Sequence, residues 1–139
     1  MKEYKSSVER INLNENGSDD DCMKSLGEFI QNSQTIDISV GNNNITDKGI
    51  EILLPYLIGN TTIKKFNIYE NKGITDKSVP LLKETIYKSN IENINIWKTL
   101  ITKEGRNEIK ASLSMPIDKR EMPLITKGDV KSASKIVNE

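Results

Sequence analysis

Ile63-Lys64-Lys65-Phe66-Asn67-Ile68-Tyr69-Glu70-Asn71 decides the reading of this 139-residue chain, because its pattern of apolar-x-x-apolar-x-apolar-x-x-Asn occurs four times. The other copies are Val8, Ile11, Leu13 and Asn16; Thr35, Ile38, Val40 and Asn43; and Ile91, Ile94, Ile96 and Thr99. Thr35 stands where an aliphatic is expected, and Thr99 stands where the Asn is expected. The copies start at residues 8, 35, 63 and 91, a near-constant step. Self-similarity at a fixed period of about 20–50 residues marks a repeat architecture, in which stacked units share one core.

Working outward, each copy is followed by a second conserved half. Ile45-Thr46-Asp47-Lys48-Gly49-Ile50 leads to Leu53, Leu54 and Leu57, and Ile74-Thr75-Asp76-Lys77-Ser78-Val79 leads to Leu82 and Ile86. Ile101-Thr102-Lys103-Glu104-Gly105 leads to Ile109 and Leu113, and a divergent Ser18-Asp19-Asp20-Asp21 leads to Met23, Leu26 and Ile30. The i, i+3, i+7 spacing is one face of a helix. The Thr or Ser caps the helix start, and the Asp suits the positive end of its dipole. Each unit therefore reads as strand, turn and helix. Side chains alternate along a strand, so Ile11/Leu13, Ile38/Val40, Phe66/Ile68 and Ile94/Ile96 point to the helices. The turn residues Asn16, Asn43 and Asn71 are assigned a structural role: their amides bond backbone groups the turn would leave unpaired, and stacked copies form a ladder.

These motifs resemble the leucine-rich repeat family. The period near 28 and the Asn-x-Ile-Thr-Asp-x-Gly turn are similar to its ribonuclease-inhibitor-type branch. The resemblance covers about residues 8–115 and implies an α/β solenoid of four repeats, with parallel strands lining a concave face and helices a convex one. The chain departs from it in preferring Ile to Leu, in Thr35 and in an irregular fourth repeat, where Arg106 replaces Ile50 and Val79 and suits a water-facing end.

Three segments follow: a lead-in at 1–7, the repeat domain at 8–115, and a tail at 116–139 that carries Pro116 and Pro123 and loses the period. Pro55 lies well inside the second helix pattern and should kink it or remove a hydrogen bond. Pro80 is tolerated if Ser78 is the cap. In the tail, Val130, Ala133 and Val137 share one helical face, and Ser132 and Ser134 lie between lysines as candidate modification sites. Residues 8–13 form an exposed sheet edge, which the lead-in, a second chain or further repeats would cover.

Formal net charge is zero, and no basic stripe crosses the repeats, which argues against nucleic acid. No apolar run is long enough to span a membrane, the polar Met1-Lys2-Glu3-Tyr4-Lys5 has no secretory h-region, and one Cys allows no internal disulfide. A cytoplasmic protein is expected. The chain has no His, which removes Ser-His-Asp and Cys-His catalysis and the commonest metal ligand. No catalytic residue, metal or cofactor is assigned. Cys22, in the place of Gly49, reads as a small buried residue, and Asp19-Asp20-Asp21 as a helix start that attracts acids.

The outward strand positions form four columns: Arg10, Asp37, Lys65, Asn93; Asn12, Ser39, Asn67, Asn95; Asn14, Gly41, Tyr69, Trp97; and Glu15, Asn42, Glu70, Lys98. Tyr69 and Trp97, the only Trp, hold equivalent places on adjacent strands roughly 4.8 Å apart, so their rings are expected side by side. Tyr and Trp are enriched at interface hot spots. Tyr69, Trp97, Asn67, Asn95, Lys65, Glu70 and Lys98 are thus the candidate partner-binding residues of the concave face. The plainer reading gives Trp97 the shielding of the last repeat, Tyr69 a stabilising cross-strand pair and the Asn columns simple solvation.

A non-catalytic protein-interaction module leads the functional readings. Asn60–Ile68 is similar to repeats of the tropomodulin and leiomodin actin-filament caps, which implies an actin regulator as one alternative. The Ran GTPase activators share the repeat type, which implies a GTPase-regulating alternative without a specific residue to carry it. A fragment of a longer repeat protein is a further one.

Overall fold

In a computed structural model, residues 9–120 are described. The lead-in, Val8, Ser132, Ser134 and the helical face in the tail lie outside them. The fold is mixed α/β. Strands β1 (Arg10–Asn12), β2 (Asp37–Ser39), β3 (Lys65–Asn67) and β4 (Asn93–Asn95) alternate with helices α1 (Cys22–Gln31), α2 (Asp47–Leu53), α3 (Val79–Tyr87) and α4 (Lys103–Leu113). The sheet is parallel in the order β1-β2-β3-β4, and Ile38 registers with Ile11 and Phe66, and Phe66 with Ile94. Each strand thus pairs with the strand of the next unit, as the constant period requires.

The alternation places the core. Ile38, Val40, Phe66 and Ile68 are fully buried against helix residues that include Met23, Ile50, Leu53, Leu82 and Ile86. Burial of each such side chain contributes about 1.5–3 kcal/mol. Ile11, on the first strand, and Leu13, just after it, are only partly buried. Thr35 fits its aliphatic position because it is fully buried with a partner: its hydroxyl shares a 2.7 Å hydrogen bond with Ser33 Oγ. Its carbonyl accepts from Thr62 Oγ1 at 2.9 Å.

Two side-chain ladders tie the units together. Asn71 Oδ1 accepts from the N–H groups of Asn43 (3.1 Å) and Ile45 (3.0 Å). Its Nδ2 donates to the carbonyls of Val40 (3.0 Å), Ile68 (3.0 Å) and Tyr69 (3.3 Å). Asn43 repeats the arrangement one unit earlier, accepting from Asn16 and Ser18 N–H and donating to Leu13, Val40 and Gly41. Asn16 departs from its expected role. Its side chain is exposed, and among the described residues it joins the ladder through its backbone N–H alone. Thr99 closes only its own turn, donating to Ile96 O at 2.8 Å.

The second ladder was not expected from the sequence. Asp20 Oδ1 accepts from Thr46 N–H (2.8 Å) while Oδ2 accepts from Thr46 Oγ1 (2.5 Å). Asp47 binds Thr75 in the same way (2.8 and 2.6 Å), as does Asp76 with Thr102 (2.8 and 2.7 Å). Each Thr still caps its helix, accepting from Lys48, Lys77 or Gly105 N–H. The Asp therefore serves the next unit as well as its own helix dipole. A Cβ at Gly49 or Gly105 would collide with the carboxylate of Asp20 or Asp76 where it now sits. At Ser78 the helix starts as a 3-10 turn, Asp76–Ser78, and the hydroxyl donates to Asp47 Oδ1 at 2.6 Å. Ser78 is thus a partner of Asp47 rather than a side-chain cap, and Thr75 does the capping.

Three further expectations are corrected. Pro55 does not sit inside a long kinked helix: α2 ends at Leu53, and a 3-10 turn, Leu54–Tyr56, takes the Pro near its start, where no donor is required. Cys22 is exposed, its Sγ 3.7 Å from Asp19 Oδ1. Residues 116–120 stay tied to the fold: Arg120, only 7% exposed, donates to the carbonyls of Ile86, Ser89, Ile91, Leu113 and Met115. Burial lowers its pKa, with Glu92 and Tyr87 working against that shift. Arg106 matches its reading: it is exposed and donates to Ile101 O at 2.9 Å.

Asn71→Ala should cost about 2–4 kcal/mol in urea unfolding, because it leaves buried backbone donors and acceptors unpaired, while Asn16→Ala should change stability by under about 0.5 kcal/mol. Arg120→Ala should cost about 2–4 kcal/mol, and Arg120→Lys should not restore it, since an ammonium lacks the guanidinium fork. Burial raises the pKa of Asp47, but hydrogen bonds from Ser78 and Thr75 and the charge of Lys77 outweigh it and hold the carboxyl below its ordinary 3.8. The folded pKa is depressed, so this stabilisation is complete above pH 3.8 and fades as pH falls through the folded value. Urea titrations from pH 7 to pH 2 should show that fall, and Asp47→Asn should flatten it.

Candidate functional site

The candidate residues lie on the sheet face turned away from the helices, and strand register sets their neighbours. Lys65 stands between Asp37 and Asn93, and Asn67 between Ser39 and Asn95. Parallel pairing continues past the strands into the turns, where Glu15, Asn42 and Glu70 N–H groups donate to the carbonyls of Gly41, Tyr69 and Trp97. Glu15, Asn42, Glu70 and Lys98 all take left-handed backbone, φ 53–61°. Three of the four are long side chains in a conformation that costs roughly 1–2 kcal/mol per residue, so the turn geometry is imposed by the bonds around it. The sequence signal for this position was weak, since only Asn42 is a residue that favours it.

Polar side chains here largely bond locally. Asn95 Oδ1 accepts from Trp97 N–H at 3.0 Å, and Asn12 Oδ1 from Asn14 N–H at 3.0 Å. Asn14 Oδ1 accepts from Ser39 Oγ (2.7 Å) and Gly41 N–H (2.6 Å). Lys98 Nζ lies 3.7 Å from Glu70 Oε2 and 4.5 Å from the Trp97 ring centroid, a cation–π placement that joins three candidate residues. One buried acceptor, Asp37 Oδ1, makes no hydrogen bond.

The expected pairing of the aromatic rings is not formed. Tyr69 leans across the preceding strand and covers Gly41, whose missing side chain leaves the room; a Cβ there would collide with the ring. Trp97 is on the turn after β4 and stays 60% exposed. Glycine at position 41 was the signal for where Tyr69 turns. Tyr69 is half-buried, so the open apolar surface of this face rests on Trp97.

The helix side carries a shallow cleft of about 360 Å³ lined by Asp47, Lys48, Glu51, Lys77, Ser78, Pro80 and Leu81. Its carboxylate Asp47 is already engaged by Thr75 and Ser78. Among the described residues no group of three or more His, Cys, Asp or Glu is placed to hold a metal ion, and no helix is long and apolar enough to cross a membrane.

No protein-family model matches the chain, and no curated protein matches it. Fluorescence of the sole Trp should be strongly quenched by acrylamide and emit at the red, water-exposed end of the Trp range, with Lys98→Ala shifting the emission and leaving the unfolding midpoint unchanged.

Proposed function

We propose that this chain is a leucine-rich repeat protein of the ribonuclease-inhibitor type and serves as a non-catalytic protein-interaction module in the cytoplasm, binding a protein partner through the outward face of its sheet. The observation that carries the reading is Trp97, 60% exposed on an otherwise polar sheet face and held under Lys98. An exposed Trp loses little side-chain entropy on docking and buries a large area, the property of a hot-spot residue. Lys65, Asn67, Glu70, Asn95 and Lys98 give the same face donors and acceptors of both charges, and Tyr69 adds a half-buried ring over Gly41. The parallel sheet, its unit-by-unit register and the Asn ladder support the family reading.

An affinity capture from lysate with wild type, Trp97→Ala and the Tyr69→Ala/Trp97→Ala double variant tests the reading, with far-ultraviolet circular dichroism as the folding check. The partner should be held by wild type and lost by the folded Trp97→Ala variant. Equal retention by all three proteins would move the site off this face.

A further inference from the structure

The two ends of the sheet are not alike, and their differences match each other. Within the fold, later units grip earlier ones by three devices, the first at two junctions, the second at all three and the third at one. The turn Asn holds the earlier turn, as Asn43 and Asn71 do. A Thr donates twice to the earlier Asp, as in Thr46 to Asp20, Thr75 to Asp47 and Thr102 to Asp76. An aromatic ring lands on the earlier helix, where Tyr56 covers Gly27 of α1.

The first unit has a residue at each of these places with nothing described beneath it. Asn16 is exposed and its amide is unused among the described residues. Phe29, at the place of Tyr56 one period earlier, is 43% exposed. Asp19 takes the place of Thr46 and Thr75: its backbone bridges Asn44 as Thr46 bridges Gly73 and Thr75 bridges Leu100. At the far end, Lys103 takes the place of Asp47 and Asp76, directly after the capping Thr102. The bonding pair has therefore been changed on both sides. Thr has become Asp at the first unit, and Asp has become Lys at the last. Asp19 and Lys103 are both exposed.

We propose that copies of this chain associate head to tail, the β1 end of one seated on the β4 end of the next. β4 and β1 continue the parallel register, and Asp19 and Lys103 form an ion pair where the inner junctions use Thr and Asp. Only the head-to-tail continuation of the parallel register brings Asp19 and Lys103 together; β1 against β1 or β4 against β4 does not form this pair. The opposite-end contact is the one the charges select. Such a heterologous contact leaves one free end of each type, so assembly does not stop at a dimer unless the geometry closes a ring. Arg120 lies at the other end of the strands, against the carbonyls that precede β4 and close α4, and leaves the Lys103 end of the helix open.

Sedimentation velocity on the full chain, from about 1 µM to about 1 mM, tests this. The weight-average mass of wild type should rise with concentration and pass that of a dimer, and added salt should reverse the rise. Asp19→Lys and Lys103→Asp, each alone, should weaken association at least tenfold while circular dichroism stays native, because both positions are exposed. Mixing the two variants should restore it, since each then offers the other an opposite charge. A wild type that remains monomeric overturns the proposal, as it would if the chain's own N-terminal residues covered β1. Variants that associate like wild type overturn it, and so does a mixture that gains nothing over its components.

Discussion

The amide of Asn71 does what no apolar contact in this fold can do: it satisfies two donors of one turn and three carbonyls shared between two turns. Tight turns leave backbone groups unpaired, and burying them that way is costly. Three-residue strands supply few ladder bonds of their own. The turn amide is therefore the condition under which such short strands can stack at all. Asn43 and Asn71 are each spent on the unit before as well as on their own, so each of these junctions carries bonds that no unit makes alone. The carboxylate ladder of Asp20, Asp47 and Asp76 adds a second bond set at each junction, a short distance along the chain from the first.

Much of this was legible because period and chemistry coincide. Strand and helix alternation followed from the apolar spacing, and the burial of Ile38, Val40, Phe66 and Ile68 followed from side-chain alternation. Less legible was anything that depends on what lies next to a unit rather than within it. Asn16 and Asn43 are identical in sequence role, yet Asn16 is exposed and Asn43 is buried between the turns of Asn16 and Asn71, to both of which it is bonded. Cys22, read as a buried residue, is exposed. Asp47 was read through its own helix dipole, and its stronger bonds run to Thr75 and Ser78 of the next unit, 28 and 31 residues away. Arg120 fell in a segment with no period, so nothing in the pattern announced that it closes the last unit.

At the candidate site the columns were correct and the side-chain directions were not. Register fixes which residues stand on neighbouring strands, but a ring leans towards space, and Gly41 supplied space on the far side of Tyr69 from Trp97. The result is two separate aromatic features: a ring spent on the sheet and one left to solvent. Lys98 sits at the join, bound at once to Glu70 and over Trp97, so the charge and the apolar surface of that corner are not independent.

Arg120 bears on where this domain can be cut or joined. Its guanidinium closes five carbonyls from the ends of α3 and α4 and the loops after them, and a cation of this kind holds its charge across the physiological range. An expression boundary drawn where the repeat pattern stops would discard that plug and leave a frayed end; one drawn after residue 120 keeps it. Fusion partners, epitope tags and protease sites placed beyond Arg120 load the chain where this lattice of carbonyls has already been closed.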